Sequence, residues 1–523
     1  MRGVAGMHLP IRQRGLALLV LLAIISMGVI FALVTGLNRS AGDLARAREQ
    51  KTYAALAQAK AALIAYAVTY KDTHDNPGGG TYTVPGYLPC PDLGSALYEG
   101  QAASPCGASL VSVMGRLPWK TLGVDALKDS SGECLWYAVS GTYKNNPNGV
   151  SGNTATSTMM NWDNNGQFNV MDADGTTFLT GATDDTDAVA VIFAPGAALA
   201  GQNRAPAAGT ANCGGNYTPA AYLETANGIN NSVVSGTASA PNPFIAGTKS
   251  DTFNDKLVYI TRADIWNAIK KRSDFNDYLR SLTRRAAECT AMYGKQNGAG
   301  LGDKRLPWAS NVSLSTTSLP TYAVNASYND IVNVDSGRLA FKVNTADTTT
   351  NNNLSSAISD YGTNSAYIFT NSSYCAYTAD QKVWYENWKD QLFYAVAGGY
   401  DPGAGSSCGT CLRLNRSGTT LAGNYAAVIM FAGEKLAGQN RNTATDKGVV
   451  ANYLEAPNST NIDADTGGGN YRVDASGSFN DIVYAIDTSL AVKCYRTSSL
   501  TMVSVPAVAV APPGDPAAYG ACP

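Results

Sequence analysis

Histidine and charge are what this chain has least of. Its 523 residues include only two histidines, His8 and His74, and 15% charged side chains, for a formal net charge of -2. A Ser-His-Asp device or a histidine-rich zinc site therefore has almost nothing to be built from. So sparse a charge also offers no basic face to nucleic acid. No HExxH, Walker A, GxSxG or dinucleotide fingerprint occurs. Glycosidase-type carboxylate pairs leave no trace in sequence, and no Asp or Glu stands out as one. The chain reads as a non-enzyme, with an extracellular hydrolase as a distant alternative.

Charge is absent altogether from Leu16 to Leu37. Twenty-two helical residues would rise about 33 Å, enough for a bilayer core of about 30 Å. Arg2, Arg12 and Arg14 precede the run, which would keep the short N-terminal side in the cytoplasm and export the rest. A secretory signal peptide is the other reading. Against it, the run is longer than an ordinary signal core, and no small-x-small cleavage site follows. From Ser40 to Tyr70 there is no proline, and Ala, Leu, Gln, Arg and Lys dominate. One helix from Leu16 to about Tyr70 is expected, ending before the breaker cluster Asn76-Pro77-Gly78-Gly79-Gly80.

Arg14-Gly15 followed by Leu16-Ala17-Leu18-Leu19-Val20 and a long helix resembles the N-terminus of type IV prepilins and type II secretion pseudopilins. The resemblance covers about the first 60 residues. It implies cleavage after Gly15 by a prepilin peptidase, methylation of Leu16, and major and minor pilins or pseudopilins as partners. The family's glutamate at the fifth mature position is missing, because Val20 stands there. That departure resembles the minor members, PilX-like pilins and GspK-like pseudopilins. In the family the glutamate meets the free amine of the subunit assembled before it, so a first subunit can dispense with it. The implied place is the bacterial inner membrane by one N-terminal span with the head in the periplasm, then the cell surface or a pseudopilus.

Ten cysteines in an exported chain suggest disulfides. Cys90 and Cys106 bracket a Gly/Pro/Ser loop and are the first expected pair. Cys408-Gly409-Thr410-Cys411 has redox-dithiol or half-zinc spacing, but no second CxxC occurs, and a turn-clamping disulfide is favoured. The partners of Cys134, Cys213, Cys289, Cys375, Cys494 and Cys522 stay open.

The exported part repeats itself. Ala190–Gly196 leading to Leu199-Ala200-Gly201-Gln202-Asn203-Arg204 is answered by Ala427–Gly433 leading to Leu436-Ala437-Gly438-Gln439-Asn440-Arg441. Leu135–Gly141 answers Leu392–Gly398, Ala221–Glu224 answers Asn452–Glu455, and Phe253-Asn254-Asp255 answers Phe479-Asn480-Asp481. Gly115-Arg116-Leu117-Pro118-Trp119 is matched to Lys304-Arg305-Leu306-Pro307-Trp308. Helical stretches open each half, Thr52–Tyr70 and Leu279–Tyr293. The expected organisation is a leader at 1–15, the membrane-spanning and exposed half of the long helix at 16–51, head repeats at 52–273 and 274–490, and an Ala/Pro-rich tail at 491–523. The fold class expected is α+β: a long pilin-like transmembrane helix carrying two duplicated helix-plus-antiparallel-sheet heads.

Two sets of residues invite a site. Asp172, Asp174, Asp184, Asp185 and Asp187 cluster oxygen ligands near Gly175, which suggests calcium, although the spacing is not that of an EF-hand and Asx turns explain it as well. A looser set, Asp463, Asp465 and Asp474, lies in the second half. The twin Gly-Gln-Asn-Arg segments could hold a carboxylate or sugar, but a motif kept in both halves of one chain favours a folding role. The function expected is a minor pilin or pseudopilin subunit at or near a filament tip, acting in assembly or surface contact. The alternative is a membrane-anchored extracytoplasmic binding or adhesion protein outside any filament, with a surface glycan or protein as ligand.

Overall fold

The computed structural model describes residues 12–94, 98–108, 110–144, 159–207, 209–235, 240–296, 304–314, 320–341, 377–404, 407–474, 478–506 and 522; in the first helix, side chains are described from Gly42 onward. That helix, α1, runs unbroken from Arg12 to His74. Its face at Ala55, Leu56, Ala59, Leu63, Ala67 and Tyr70 is buried, a spacing of three and four that keeps one side of the helix toward a sheet. Lys71 and His74 occupy the last turn, where positive or donor groups suit the exposed carbonyls. Upstream, Asp43 to Lys51 are exposed.

One expectation is corrected here. Among the described residues no helix is long and apolar enough to cross a membrane. Where its side chains are described, α1 carries Asp43, Arg46, Arg48, Glu49, Lys51, Lys60, Lys71 and Asp72, charges that a bilayer core would not accept without partners. The apolar run Leu16–Leu37, with Gly15, Leu16 and Val20, lies outside the residues whose side chains are described. The described helices therefore contradict the transmembrane helix in the expected fold class and the single-span anchor in the bacterial inner membrane.

Strand β1 (Val113–Arg116), β2 (Trp136–Val139), β3 (Phe168–Met171), β4 (Phe178–Thr180) and β5 (Ala188–Ala194) belong to a seven-stranded sheet. After the small hairpin β6 (Thr225–Ala226) and β7 (Ile229–Asn230), the sheet is completed by β8 (Asn242–Ile245), parallel to β3, and β9 (Lys256–Thr261), antiparallel to β5. Helix α2 (Arg262–Ile269) follows at once, opened by the reciprocal Thr261–Asp264 cap. Helix α3 (Phe275–Gln296) then leads to the second half. There β10 (Ser336–Arg338), β11 (Leu392–Val396), β14 (Tyr425–Phe431), β16 (Ile482–Asp487), β17 (Val492–Arg496) and β18 (Thr501–Ser504) form a sheet in that order. Strands β12 (Arg413–Arg416), β13 (Thr419–Thr420) and β15 (Asn470–Arg472) make a small separate sheet.

The series β1-β2-β5-β9 and β10-β11-β14-β16 share order, direction and register. Tyr137 faces Ile192 as Tyr394 faces Ile429, and Ile192 faces Val258 as Ile429 faces Tyr484. Both central strands are buried along all seven residues. Each slips register at the same place, between Ala188 and Ala190 and between Tyr425 and Ala427. Helix α1 packs on β5 and β9, and α3 packs on β14 and β16. On α3 the buried positions Leu279, Leu282, Ala286 and Tyr293 repeat the spacing of Leu56, Ala59, Leu63 and Tyr70.

One sequence match is reassigned by the pairing. Gly115 faces Tyr137 in β2, and in β11 it is Gly337 that faces Tyr394. Arg116 is bridged to Asp92, and Arg338 to Ser310. Arg338 is thus the counterpart of Arg116, while Leu306-Pro307 corresponds to Leu88-Pro89: the Tyr137 and Tyr394 hydroxyls donate to the Pro89 and Pro307 carbonyls at 3.2 and 2.9 Å.

The halves share their main core, while the first half also has a cluster of its own around Trp136, Phe168 and Phe193. Leu63, Ile192, Trp266, Leu279, Trp388 and Ile429 belong to one buried cluster. At its centre Trp388 meets Trp162 at 4.7 Å, Trp266 at 5.7 Å and Phe275 at 5.8 Å between ring centroids. Edge-to-face packing of this kind adds to the burial term.

Candidate functional site

The twin Gly-Gln-Asn-Arg segments follow the central strands, and their geometry is the same in detail. Gly201 and Gly438 take φ of +88° and +90°, a left-handed conformation that a side chain would strain. Gln202 and Gln439 accept from the amides of Leu199 and Leu436 at 2.9 and 2.8 Å. They donate to Glu224 and Glu455 at 2.6 and 3.2 Å. Arg204 donates to the carbonyls of Ala221 and Gly196; Arg441 donates to those of Asn452 and Gly433. The guanidiniums lie over Tyr222 and Tyr453, 4.6 and 4.4 Å from the ring centres. The donors that a ligand would need are thus engaged with backbone carbonyls and side chains of the chain itself.

The glutamates of these loops each meet a buried aspartate. Asp255 Oδ2 accepts from the Glu224 amide at 2.9 Å and from Asn231 at 3.0 Å; Asp481 Oδ2 accepts from Asn458 at 3.1 Å. Burial, together with the adjoining Glu224 or Glu455 carboxyl, pushes both aspartates well above the usual carboxylate range.

A buried polar seam joins the halves. Asp163 accepts from Gln391 and from Arg441, the latter at 3.3 Å. Asp390 accepts from Lys447 at 2.5 Å and from Asn161 at 3.2 Å. Met160 donates its amide to Asn387 at 2.8 Å, and Asn165 reaches Asn442 at 3.1 Å. Burial would raise Asp163, but Arg441, Lys447 and Arg262 outweigh it and hold the carboxyl below its ordinary value. Burial likewise would lower Lys447, yet Asp390 and its neighbours raise it. Both groups are charged, and each is matched.

The five aspartates expected as oxygen ligands are not brought into one set. Asp172 accepts from the Ala173 amide, and Asp174 accepts from Thr176 and Thr177, which pulls Asp174 down to about 2. The Asp174 contacts form an Asx turn. Asp185 is engaged by Arg262 at 2.8 Å and by Lys435 of the second half. Asp187 is 1% exposed, and burial followed by the Asp184 charge pushes it up to about 8. Among the described residues no group of three or more His, Cys, Asp or Glu side chains is placed to hold a metal ion. In the second half, Asp465 accepts from Ser336 and Asp474 from Ser417, so each ties together segments distant in sequence.

Four disulfides are described: Cys90–Cys106 and Cys408–Cys411, as expected, with Cys134–Cys213 and Cys494–Cys522. No described cysteine is free. Cys408–Cys411 is a local clamp, while Cys134–Cys213 ties the start of β2 to the loop beside Arg116 and Tyr222. The seam residues Asp163, Asp390 and Lys447 are not singled out by sequence, since each lies in an ordinary polar context and meets its partner only across the fold. No family model, curated protein or solved structure matches the chain.

Proposed function

We propose that this chain is a minor subunit of a type IV pilin-like or type II secretion-type filament, placed at or near the tip, where it serves assembly or surface contact. One observation carries the reading: α1 is a single helix whose last turns form part of the head's core while Asp43 to Lys51 stand exposed ahead of it. A helix that is core at one end and uncovered at the other suits a subunit whose neighbours pack along it. Its partners are a prepilin peptidase and other major and minor pilins or pseudopilins. Two further features favour the tip. Val20 replaces the early acid, so no earlier subunit's amine is called for, and a head built from two fused sheets would crowd a subunit stacked above it.

Quantitative mass spectrometry of sheared filaments tests the placement. The tip reading predicts a few copies per filament and no gain in incorporation for Val20→Glu, which would bury a carboxylate without a partner. Abundance equal to that of the main subunit would overturn it.

A further inference from the structure

A cleft of about 390 Å³ opens where the last turns of α1 meet the loop closed by Cys90–Cys106. Its walls are Tyr66 and His74 from the helix, Pro89, Cys90 and Ala103 from the loop, and the polar side chains of Gln101, Ser104 and Thr121. The volume falls within the range of small-ligand sites, about 300–1,000 Å³.

The helix side of this wall is fixed. The His74 ring stacks on Tyr70 at 3.9 Å with an interplanar angle of 14°. His74 Nδ1 lies 2.9 Å from the Tyr70 carbonyl, which can only accept, so that nitrogen carries the proton. In the neutral ring Nε2 is then an acceptor, and the Tyr66 hydroxyl donates to it across 3.2 Å. On the other side Thr121 Oγ1 accepts from the Ala102 amide at 2.8 Å, which pins the loop. The disulfide restrains the same loop. The side-chain amide of Gln101 makes no hydrogen bond among the described residues.

The chemistry of the lining narrows the ligand. No Lys, Arg, Asp or Glu lines the cleft, so an anion such as phosphate or a free carboxylate would find no counter-charge. A hydrocarbon ligand would strip water from the Gln101 amide and the Ser104 hydroxyl without replacing their hydrogen bonds. What remains is a neutral molecule with an apolar face for the aromatic wall and hydroxyls for the amide and hydroxyl groups. We propose that this cleft binds a neutral saccharide of one or two rings. The site belongs to the first half, because His74 and the Cys90–Cys106 loop have no counterparts at the matching place in the second: Trp308 stands where Cys90 does. This proposal does not depend on the filament reading.

The chain's two histidines make the test direct. Full-length protein carrying ring-labelled histidine gives NMR signals from His8 and His74 alone. It is titrated with galactose, mannose, N-acetylglucosamine and lactose. The proposal predicts that at least one sugar shifts the His74 signal in a saturable way with a Kd near or below about 1 mM. Gln101→Ala and Ser104→Ala should each weaken that sugar about fivefold, as expected for one lost hydrogen bond, with an unchanged unfolding midpoint. Both residues sit on the cleft rim outside the core, so the variants keep the fold. No saturable shift with any of the four sugars overturns the proposal. A shift unaffected in both variants overturns it too, since the sugar would then sit elsewhere.

Discussion

The two halves of this molecule place the same loop on the same sheet but finish it differently. In the first, Arg204 completes its contacts with Glu133 at 3.1 Å, a pair whose carboxylate side chain is 25% exposed. In the second, the position matching Glu133, two residues ahead of the paired leucines Leu135 and Leu392, is Asp390. Its side chain is fully buried and engaged by Lys447 and by Asn161 of the other half. Arg441 likewise reaches across to Asp163. The backbone-satisfying contacts of the loop are common to both, and the remaining contact has diverged. The first half leaves it at the surface; the second has used it to close the seam.

That difference sets the largest expected effect. Asp163→Ala would leave Arg441 buried without its carboxylate, and Lys447→Ala would do the same to Asp390. Each should cost about 3–5 kcal/mol by urea unfolding, whereas Glu133→Ala should cost about 1 kcal/mol or less. Equal losses at the two positions would break the comparison.

A smaller contrast lies in the disulfides. Cys134–Cys213 closes a separation of 79 residues and Cys408–Cys411 one of 3. In the chain-entropy picture the former restrains the unfolded state far more. Replacing the longer pair by serines should cost about 2–4 kcal/mol and the shorter pair clearly less, as differential scanning calorimetry would show.

The carboxyl pairs should instead behave alike. Folded chains hold protons on Asp255 and Asp481 that unfolded chains release above the ordinary aspartate value of 3.8. Stability from these groups is therefore full at acid pH and falls as pH rises through the raised folded values. Asp187 adds a decline between its ordinary 3.8 and about 8. Asp255→Asn and Asp481→Asn, which keep a donor toward the glutamate, should each flatten the slope of stability against pH to a similar degree. A slope unchanged by both would show that the pairs do not hold those protons.

Much of the sheet pattern was legible because it repeats. Ala188–Ala194 and Tyr425–Phe431 are apolar at every position, and a repeated apolar run between turns reads as a central strand. The Gly-Gln-Asn-Arg loops were legible for the same reason. The Arg116 match is ambiguous in sequence because Leu-Pro occurs twice between 52 and 273, after Tyr87 and after Arg116, and the short motif cannot tell them apart; pairing with β2 and β11 can. The division into two heads missed the shared core, since Trp162, Trp266 and Trp388 lie 226 positions apart at the extremes and no local pattern joins them. The seam charges and the cleft beside His74 were equally out of reach, being assembled from distant loops.

The filament reading rests on the segment before α1's packed half, and its most direct test is the N-terminus of the protein taken from the cells that make it. Peptide mass spectrometry should find a chain that begins at Leu16 with a methylated amine, as processing after Gly15 requires. A chain that keeps Arg14-Gly15, or begins elsewhere without the methyl group, would contradict the account.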